Sequence, residues 1–388
     1  MSEILKFPKN FYWGTATSAY QVEGGIKNDW SQWGSKFDAG IACDHYHRFK
    51  EDFDLAQAMN NNAHRFSIEW ARIEPEEGKF DQKELDHYKE VLLALKQRNL
   101  EPFVTLFHFT LPAWFSKKGG WLNKDAPKYF ERFVEKVVSE YKDLVKFWIT
   151  LNEPNIYIFH SFLEGNWLPF KKKWFKSNKI LKQLAKAHIN SYQLIHKISP
   201  ISKVGIAINS IYYKGVVKLL VNYYWNQNFL NKIKNHQDFI GLNYYFGYSL
   251  RGFLKSDGKT DLGWGIYPKG IYYILNDLKK YNRPIYITEN GLADKKDEKR
   301  KKFIIDHLTW IYKAIEEGID IQGYFHWSLI DNFEWDKGFE PRFGLIEIDY
   351  RAQRDTNHAK RGYKTLKRIP RPSSKVYAEI CKNNAIEI

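Results

Sequence analysis

Phe147-Trp148-Ile149-Thr150-Leu151-Asn152-Glu153-Pro154 and Pro284-Ile285-Tyr286-Ile287-Thr288-Glu289-Asn290-Gly291 decide how this chain is read. Each is an apolar run of strand character that ends in a carboxylate. A buried strand that delivers a Glu to its C-terminal end points to a barrel active site. Two such residues point to glycoside cleavage, whose chemistry needs paired carboxylates across the scissile bond. Taken singly, either Glu reads as a strand-end residue in a surface ion pair, because charged side chains are seldom buried. The repeated pattern reverses that reading.

Outward from these two runs, strand-like and helix-like segments alternate. Strands are expected over residues 11–20 (with an active-site turn), 63–70, 102–109, 146–151, 203–209, 239–244, 284–288 and 323–329. Helices are expected over 53–60, 81–98, 126–142, 180–198, 217–234, 268–281 and 301–317, with closing helical segments at 356–366 and 373–380. Pro127 suits a first helical turn and Pro200 marks a helix end. Such alternation favours a parallel sheet, and eight repeats predict a closed (β/α)8 TIM barrel of the α/β class. No linker or low-complexity stretch divides the chain, so residues 1–388 are expected to form one domain. The active site is expected at the C-terminal ends of the strands.

Composition narrows the function classes. The chain has 388 residues, 44% hydrophobic and 17% aromatic, including 14 Trp. Trp-rich clefts suit sugar rings, whose C–H faces stack on aromatic rings, although most of these Trp residues are expected to pack the barrel. The net charge of +15 raises nucleic-acid binding. The lysine runs at 171–173 and 295–302 lie in loops or at a helix start, and no recognition motif accompanies them, so no nucleic-acid partner is expected. Cys43 and Cys381 give no disulfide framework and suit a reducing compartment, so a cytoplasmic location is expected. Residues 1–10 lack an apolar core segment, and no run of 18 apolar residues occurs; neither a signal peptide nor a membrane span is expected. Cys43-Asp44-His45-Tyr46-His47 has metal-ligand chemistry but no matching second pair, so no metal and no cofactor are expected. The sequence sets no oligomeric state.

The strand-end residues then fall into a family pattern. Phe11-Tyr12-Trp13-Gly14-Thr15-Ala16-Thr17-Ser18-Ala19-Tyr20-Gln21-Val22-Glu23-Gly24, Thr150 to Pro154, Ile287 to Gly291 and Trp327-Ser328-Leu329-Ile330-Asp331-Asn332-Phe333-Glu334-Trp335 occur in order. With these motifs the chain resembles glycoside hydrolase family 1, the retaining β-glucosidase-type enzymes, nearly end to end. The resemblance implies that Glu289 is the nucleophile and Glu153 the acid/base. Arg65 looks like the arginine that pairs with the nucleophile, and Tyr245 like its hydrogen-bond partner. Gln21, His108, Asn152, Glu334 and Trp335 match residues that bind the non-reducing sugar, and Trp327 would lie beneath its ring. Without the motif, His108 reads as a core histidine, Gln21 as a turn residue, Trp327 as packing and Arg65 as a structural ion pair. The acid must keep a proton at working pH, which partial burial and the charge of Glu289 both favour.

The implied activity is a retaining exo-acting β-glycosidase. It is expected to act on small β-glycosides or short oligosaccharides, β-glucosides foremost, with β-fucosides and β-galactosides in range. Two rival readings are a catalytically silent sugar-binding protein and a transglycosidase on the same fold. Both catalytic Glu residues disfavour the first; the sequence separates the second poorly. The chain also departs from the family pattern. The segment between Asn209 and Phe239 is reduced, and the loops after Glu164 and Gly291 are brief. An open aglycone side is expected, unless Trp264 and residues 171–174 fold back over it. Trp264 matches an aglycone-side tryptophan, but Gly265 and Lys269 stand where acids are common, and Phe109 where many members carry Trp. The 6-phospho-glycosidase branch has Ser and Lys in place of the Glu334–Trp335 pair, so phosphorylated sugars are expected to be poor substrates.

Overall fold

The computed structural model describes residues 3–350 and 366–388. Eight parallel strands close into a barrel: β1 (Tyr12–Ala16), β2 (Ala63–Ser67), β3 (Glu101–Phe107), β4 (Phe147–Asn152), β5 (Lys203–Asn209), β6 (Phe239–Asn243), β7 (Ile285–Asn290) and β8 (Ile321–Trp327). Their order around the barrel is their order along the chain, and β8 closes on β1 with Trp327 opposite Ala16. Strands covered on both faces read as apolar runs rather than alternating ones. β4 and β7 are buried at every position, which is why those two stretches stand out in the sequence.

The barrel interior is filled with rings. Phe103 and Phe147 stack with centroids 4.1 Å apart, and Tyr12, Tyr286 and Phe325 meet Phe103 at steep angles. Gly14 makes room for this floor, since a Cβ there would lie 2.5 Å from the Phe325 ring. Trp327 belongs to the same cluster and ends β8 above it.

Around the barrel lie α1 (His45–Ala58), α2 (Gln82–Gln97), α3 (Ala126–Tyr141), α4 (Trp174–Ile198), α5 (Asn228–Ile233), α6 (Lys269–Leu278), α7 (Arg300–Glu316) and α8 (Pro372–Asn383). α3 shows why they stay there: Phe130, Phe133, Val134, Val137, Val138 and Tyr141 form one buried stripe at helical spacing. α2 starts at Asp81, whose carboxylate accepts from the Lys83 and Glu84 amides at 2.9 and 3.4 Å.

Several elements differ from expectation. α1 begins eight residues before the expected start at 53, so the Cys43–His47 cluster forms its entry turn. There His45 Nδ1 meets Asp52 at 2.7 Å, and the exposed His47 meets Asp44 at 2.7 Å. α4 begins at Trp174, six residues earlier than expected. The single helix expected over 217–234 is three pieces: Lys218–Val221, a π-helical turn Asn222–Gln227, and α5. The wide turn lets Asn226 reach inward, where its amide exchanges hydrogen bonds with the Ile211 backbone at 2.9 and 3.0 Å. Short strands at Tyr212–Lys214, Gly247–Ser249 and Gly252–Phe253 form a small rim sheet that the sequence did not suggest. The helix expected over 356–366 lies outside the described residues, except for Leu366.

Buried ion pairs hold the closing segment. Arg371 grips Asp331 through both carboxylate oxygens at 2.9 Å, and Arg368 grips Asp52 at 2.8 and 3.0 Å. Ile4–Lys6 pairs antiparallel with Ala385–Glu387. Among the described residues, no helix is long and apolar enough to cross a membrane.

Candidate active site

The C-terminal ends of the strands surround a cavity of about 600 Å³. Gln21, His108, Asn152, Glu153, Tyr245, Trp264, Glu289, Trp327, Glu334 and Trp335 all line it. Arg65 does not face the cavity. It lies behind the wall and acts on it through Glu289 and Asn152.

Arg65 is fully buried on β2. Its Nη1 donates to Glu289 Oε1 at 2.5 Å and to the Thr288 carbonyl at 3.2 Å. Its Nη2 donates to Asn152 Oδ1 at 2.6 Å, and its Nε to Thr105 Oγ1 at 3.2 Å. The guanidinium fork is thus held on three strands, a geometry that lysine cannot copy. Tyr245 OH donates to the other oxygen of Glu289 at 2.6 Å. Both oxygens of Glu289 therefore have fixed partners.

Glu153 has a different environment. It takes a left-handed backbone (φ 42°), and the chain turns there from β4 into the short helix Pro154–Ile158. That conformation costs a non-Gly residue about 1–3 kcal/mol and recurs at functional sites. Asn209 and Asn243 each donate an amide to Glu153 Oε1, at 3.1 and 2.9 Å. Burial pushes its carboxyl up to about 8, helped by the charge of Glu289 and opposed by the two amides and Arg65. The surroundings of Glu153 thus favour its protonated form.

Asn243 was not singled out in the sequence, yet it organises the centre. Its amide nitrogen donates to both Asn152 Oδ1 and Glu153 Oε1, at 3.2 and 2.9 Å, and its oxygen accepts from Thr288 Oγ1 at 2.6 Å. Asn209 was equally overlooked. The available signal was position, since the two end β5 and β6 as Asn152 ends β4.

Beyond the ends of β1 and β8, Gln21 Nε2 donates to Asn332 Oδ1 and the Phe333 carbonyl at 2.9 Å, and to Glu334 Oε2 at 3.3 Å. Glu334 stays partly open to the cavity. Burial pushes its carboxyl up to about 8, with the charges of Glu289 and Glu153 adding to the effect. Asn152 Nδ2 lies 3.3 Å from His108 Nε2. Burial and the Arg65 charge hold His108 well below the usual imidazole range, so it is neutral. Its ring lies nearly parallel to both Trp327 and Trp335, at 6.1 Å from each. Phe109 packs edge-on against Trp335 and Trp167 at 5.2 and 5.1 Å, in a left-handed backbone (φ 76°).

The departures at the outer rim have local causes. Trp264 stands beside Tyr245 and Phe343 in the cavity wall. Gly265 has no room for an acid, because a Cβ there would lie 2.1 Å from the Leu254 carbonyl. Lys269 points away, over the Tyr273 and Trp310 rings. Trp174 is 76% exposed, and none of residues 171–174 lines the cavity.

A closed parallel barrel whose fourth and seventh strands each bring a Glu to one mouth cavity defines a class, the barrel glycosidases. Comparison with known proteins places the chain within it. The model of glycosyl hydrolase family 1 matches residues 4–216 and 254–386. The chain is 33% identical to β-glucosidase A of Thermotoga maritima, covering 99% of both proteins, and 29% identical to a β-galactosidase of Sulfolobus acidocaldarius, covering 99% of this chain and 96% of that protein. A β-glycosidase from Pyrococcus horikoshii superposes with a TM-score of 0.90 at 38% identity, over 99% of this chain and 96% of that one. The Thermotoga maritima β-glucosidase in complex with deoxynojirimycin superposes at 0.88 with 32% identity, over 98% and 99%. The chain belongs to glycosyl hydrolase family 1, and it is a glycosyl hydrolase of the β-glucosidase type. The family match passes over residues 217–253, the stretch that holds Asn243 and Tyr245.

Proposed function

We propose that the protein is a retaining, exo-acting β-glycosidase that removes terminal β-D-glucosyl residues by double displacement. The observation that carries this reading is the unequal treatment of two carboxyls in one cavity. Glu289 is paired with Arg65 and Tyr245 and is ready to attack the anomeric carbon. Glu153 retains a proton that it can give to the departing oxygen. Attack by Glu289 forms the glycosyl–enzyme bond as the bond to the leaving oxygen breaks. The charge on Glu289 is then consumed, and Glu153, now a carboxylate, takes a proton from the water that bonds to the anomeric carbon as the bond to Glu289 breaks and frees the sugar. Asn152, held from both ends, is placed to meet the sugar 2-hydroxyl.

Glu334, Gln21 and Trp335 suit the hydroxyls of an unphosphorylated sugar, and Lys337 on the same rim pairs with Asp336 at 2.7 Å. β-Glucosides and β-fucosides are therefore the preferred substrates, β-galactosides are accepted, and 6-phosphoglucosides are poor. The sugar mimic on the Thermotoga maritima relative supports a monosaccharide seat. The chain acts as one catalytic domain. Its two cysteines, both buried free thiols, suit the cytoplasm. The test is Glu289→Gly. This variant is expected to lose hydrolysis and to regain turnover with azide, releasing the α-glycosyl azide. Hydrolysis at the normal rate without azide would remove Glu289 from the role.

A further inference from the structure

Positive charge and exposed apolar side chains coincide on one outer face of the molecule. Between Glu164 and Asp238 the chain carries 13 lysines and no acidic residue. The run Lys171-Lys172-Lys173-Trp174-Phe175-Lys176 leads into α4, and its two rings are 76% and 63% exposed. Their centroids lie 6.4 Å apart with planes at 85°. Among the described residues, no carboxylate pairs with Lys171, Lys172, Lys173, Lys176 or Lys179. Glu164, at the border of the face, stands 3.2 Å from His160 instead.

Backbone hydrogen bonds fix the run on its neighbours. The Lys171 amide donates to the Ser161 carbonyl at 3.1 Å, and the Lys173 amide to the Phe162 carbonyl at 2.8 Å. Leu163, Ser177, Asn178, Leu220 and Tyr224 line one surface groove, which sets the first turns of α4 beside residues 218–225. Leu219 in that stretch is 79% exposed. Residues 218–225 continue back into the rim sheet, where Lys214 pairs with Ser249. Val216 follows Lys214, and Leu250 and Arg251 follow Ser249, all of them exposed.

Folding gains nothing from leaving Trp, Phe and Leu side chains in water, and contiguous exposure of this kind marks a contact surface. Charge selects the partner. A second copy of the chain would bring lysine against lysine. A nucleic acid matches the lysines but not Val216, Leu219 and Leu220, which give a base no ring to stack on. A bilayer with anionic headgroups matches both features, since lysines meet its phosphates while Trp, Phe and Leu enter the interface. We propose that this face docks the protein on an anionic lipid surface. Trp174, Phe175, Leu219 and Leu220 lie in the headgroup layer, and the lysines around them meet lipid phosphates. The inference stands apart from the glycosidase reading. Phe159 and Trp225 line both the groove and the active-site cavity, so a docked molecule holds that cavity close to the lipid.

The test is cosedimentation of the full chain with vesicles of phosphatidylcholine, alone or mixed with phosphatidylglycerol. The wild-type protein is expected to bind the mixed vesicles at least about tenfold more tightly than the neutral ones. This binding is expected to weaken at least about tenfold as salt rises from about 0.1 M to about 1 M, where screening shortens to about 3 Å. Lys171→Gln, Lys172→Gln and Lys173→Gln together are expected to weaken it about fivefold per lysine. Trp174→Ser with Phe175→Ser is expected to weaken it at least about tenfold. Lys295→Gln, Lys296→Gln and Lys301→Gln together make the same change of charge after β7, and are expected to keep wild-type binding. All three variants change surface side chains and are expected to keep the wild-type unfolding midpoint. No binding to the mixed vesicles, equal binding to the neutral ones, or an equal loss in the 295–301 variant overturns the docking face. A 171–173 variant that loses affinity for duplex DNA while its lipid binding is unchanged assigns the face to nucleic acid and also overturns it.

Discussion

Glu153 and Glu289 are both buried in one cavity, yet their neighbours differ in charge. Arg65 and Tyr245 approach Glu289, whereas Glu153 receives only two neutral amides. The direction of the shift at Glu153 sets the pH profile. A general acid works only while protonated, so kcat/KM is expected to fall as pH rises through about 8. The charge of Glu289 is the second cause of that raised value, after burial. In Glu289→Gln the Glu153 carboxyl is therefore expected to titrate at lower pH, read by 13C NMR on labelled glutamate. An unchanged Glu153 titration would show that burial alone sets it. The carboxylates at the ends of β4 and β7 stood out in the sequence, and the residues picked from it, Arg65 apart, line one cavity. Asn209 and Asn243 did not stand out, because an amide at a strand end reads equally well as a turn residue, and only the closed barrel shows which acid it faces.

Elements with strong burial patterns were the legible ones. All eight barrel strands were found near their observed positions, since a run covered on both faces is rich in apolar, β-branched and aromatic residues. The early turns of α1 and α4 were missed because their exposed polar and aromatic residues break the apolar period. The π-helical turn at Asn222–Gln227 was missed for a different reason: Asn226 makes a contact with Ile211 that lies far away in sequence. The rim strands are too short to show alternation. Local signals that act within one turn were readable, and Asp81 offers a clean measurement of one. Asp81→Ala leaves the Lys83 and Glu84 amides without their side-chain acceptor. A loss of about 1 kcal/mol is expected in urea unfolding, with activity unchanged. A loss below a few tenths would show that water caps α2 equally well.

At the scale of the whole molecule, several buried acids make stability depend on pH. Asp29 shows the sign. Burial, followed by the charge of Glu69, pushes its carboxyl up to about 8, while its Oδ1 accepts from the Trp30 and Leu111 amides at 3.1 and 2.8 Å. The unfolded chain releases this proton near pH 4, but the folded protein holds it until about 8. The folded state thus binds more protons in that window, and stability falls as pH rises across it. Asp29→Asn keeps the accepting oxygen and removes the titration. Its Tm is expected to decline less between pH 4 and 8, by a few degrees, in calorimetry. Equal slopes in the two proteins would remove Asp29 from the effect. The ring-filled floor of the barrel acts on traffic instead. Phe103, Phe147 and their neighbours close the cavity below Trp327, so the chamber is blind-ended. Whatever enters first lies deepest and must leave last. The freed alcohol is expected to depart before the sugar, making glucose a competitive product inhibitor and the alcohol a noncompetitive one. The reverse pattern in steady-state inhibition would overturn this order of release.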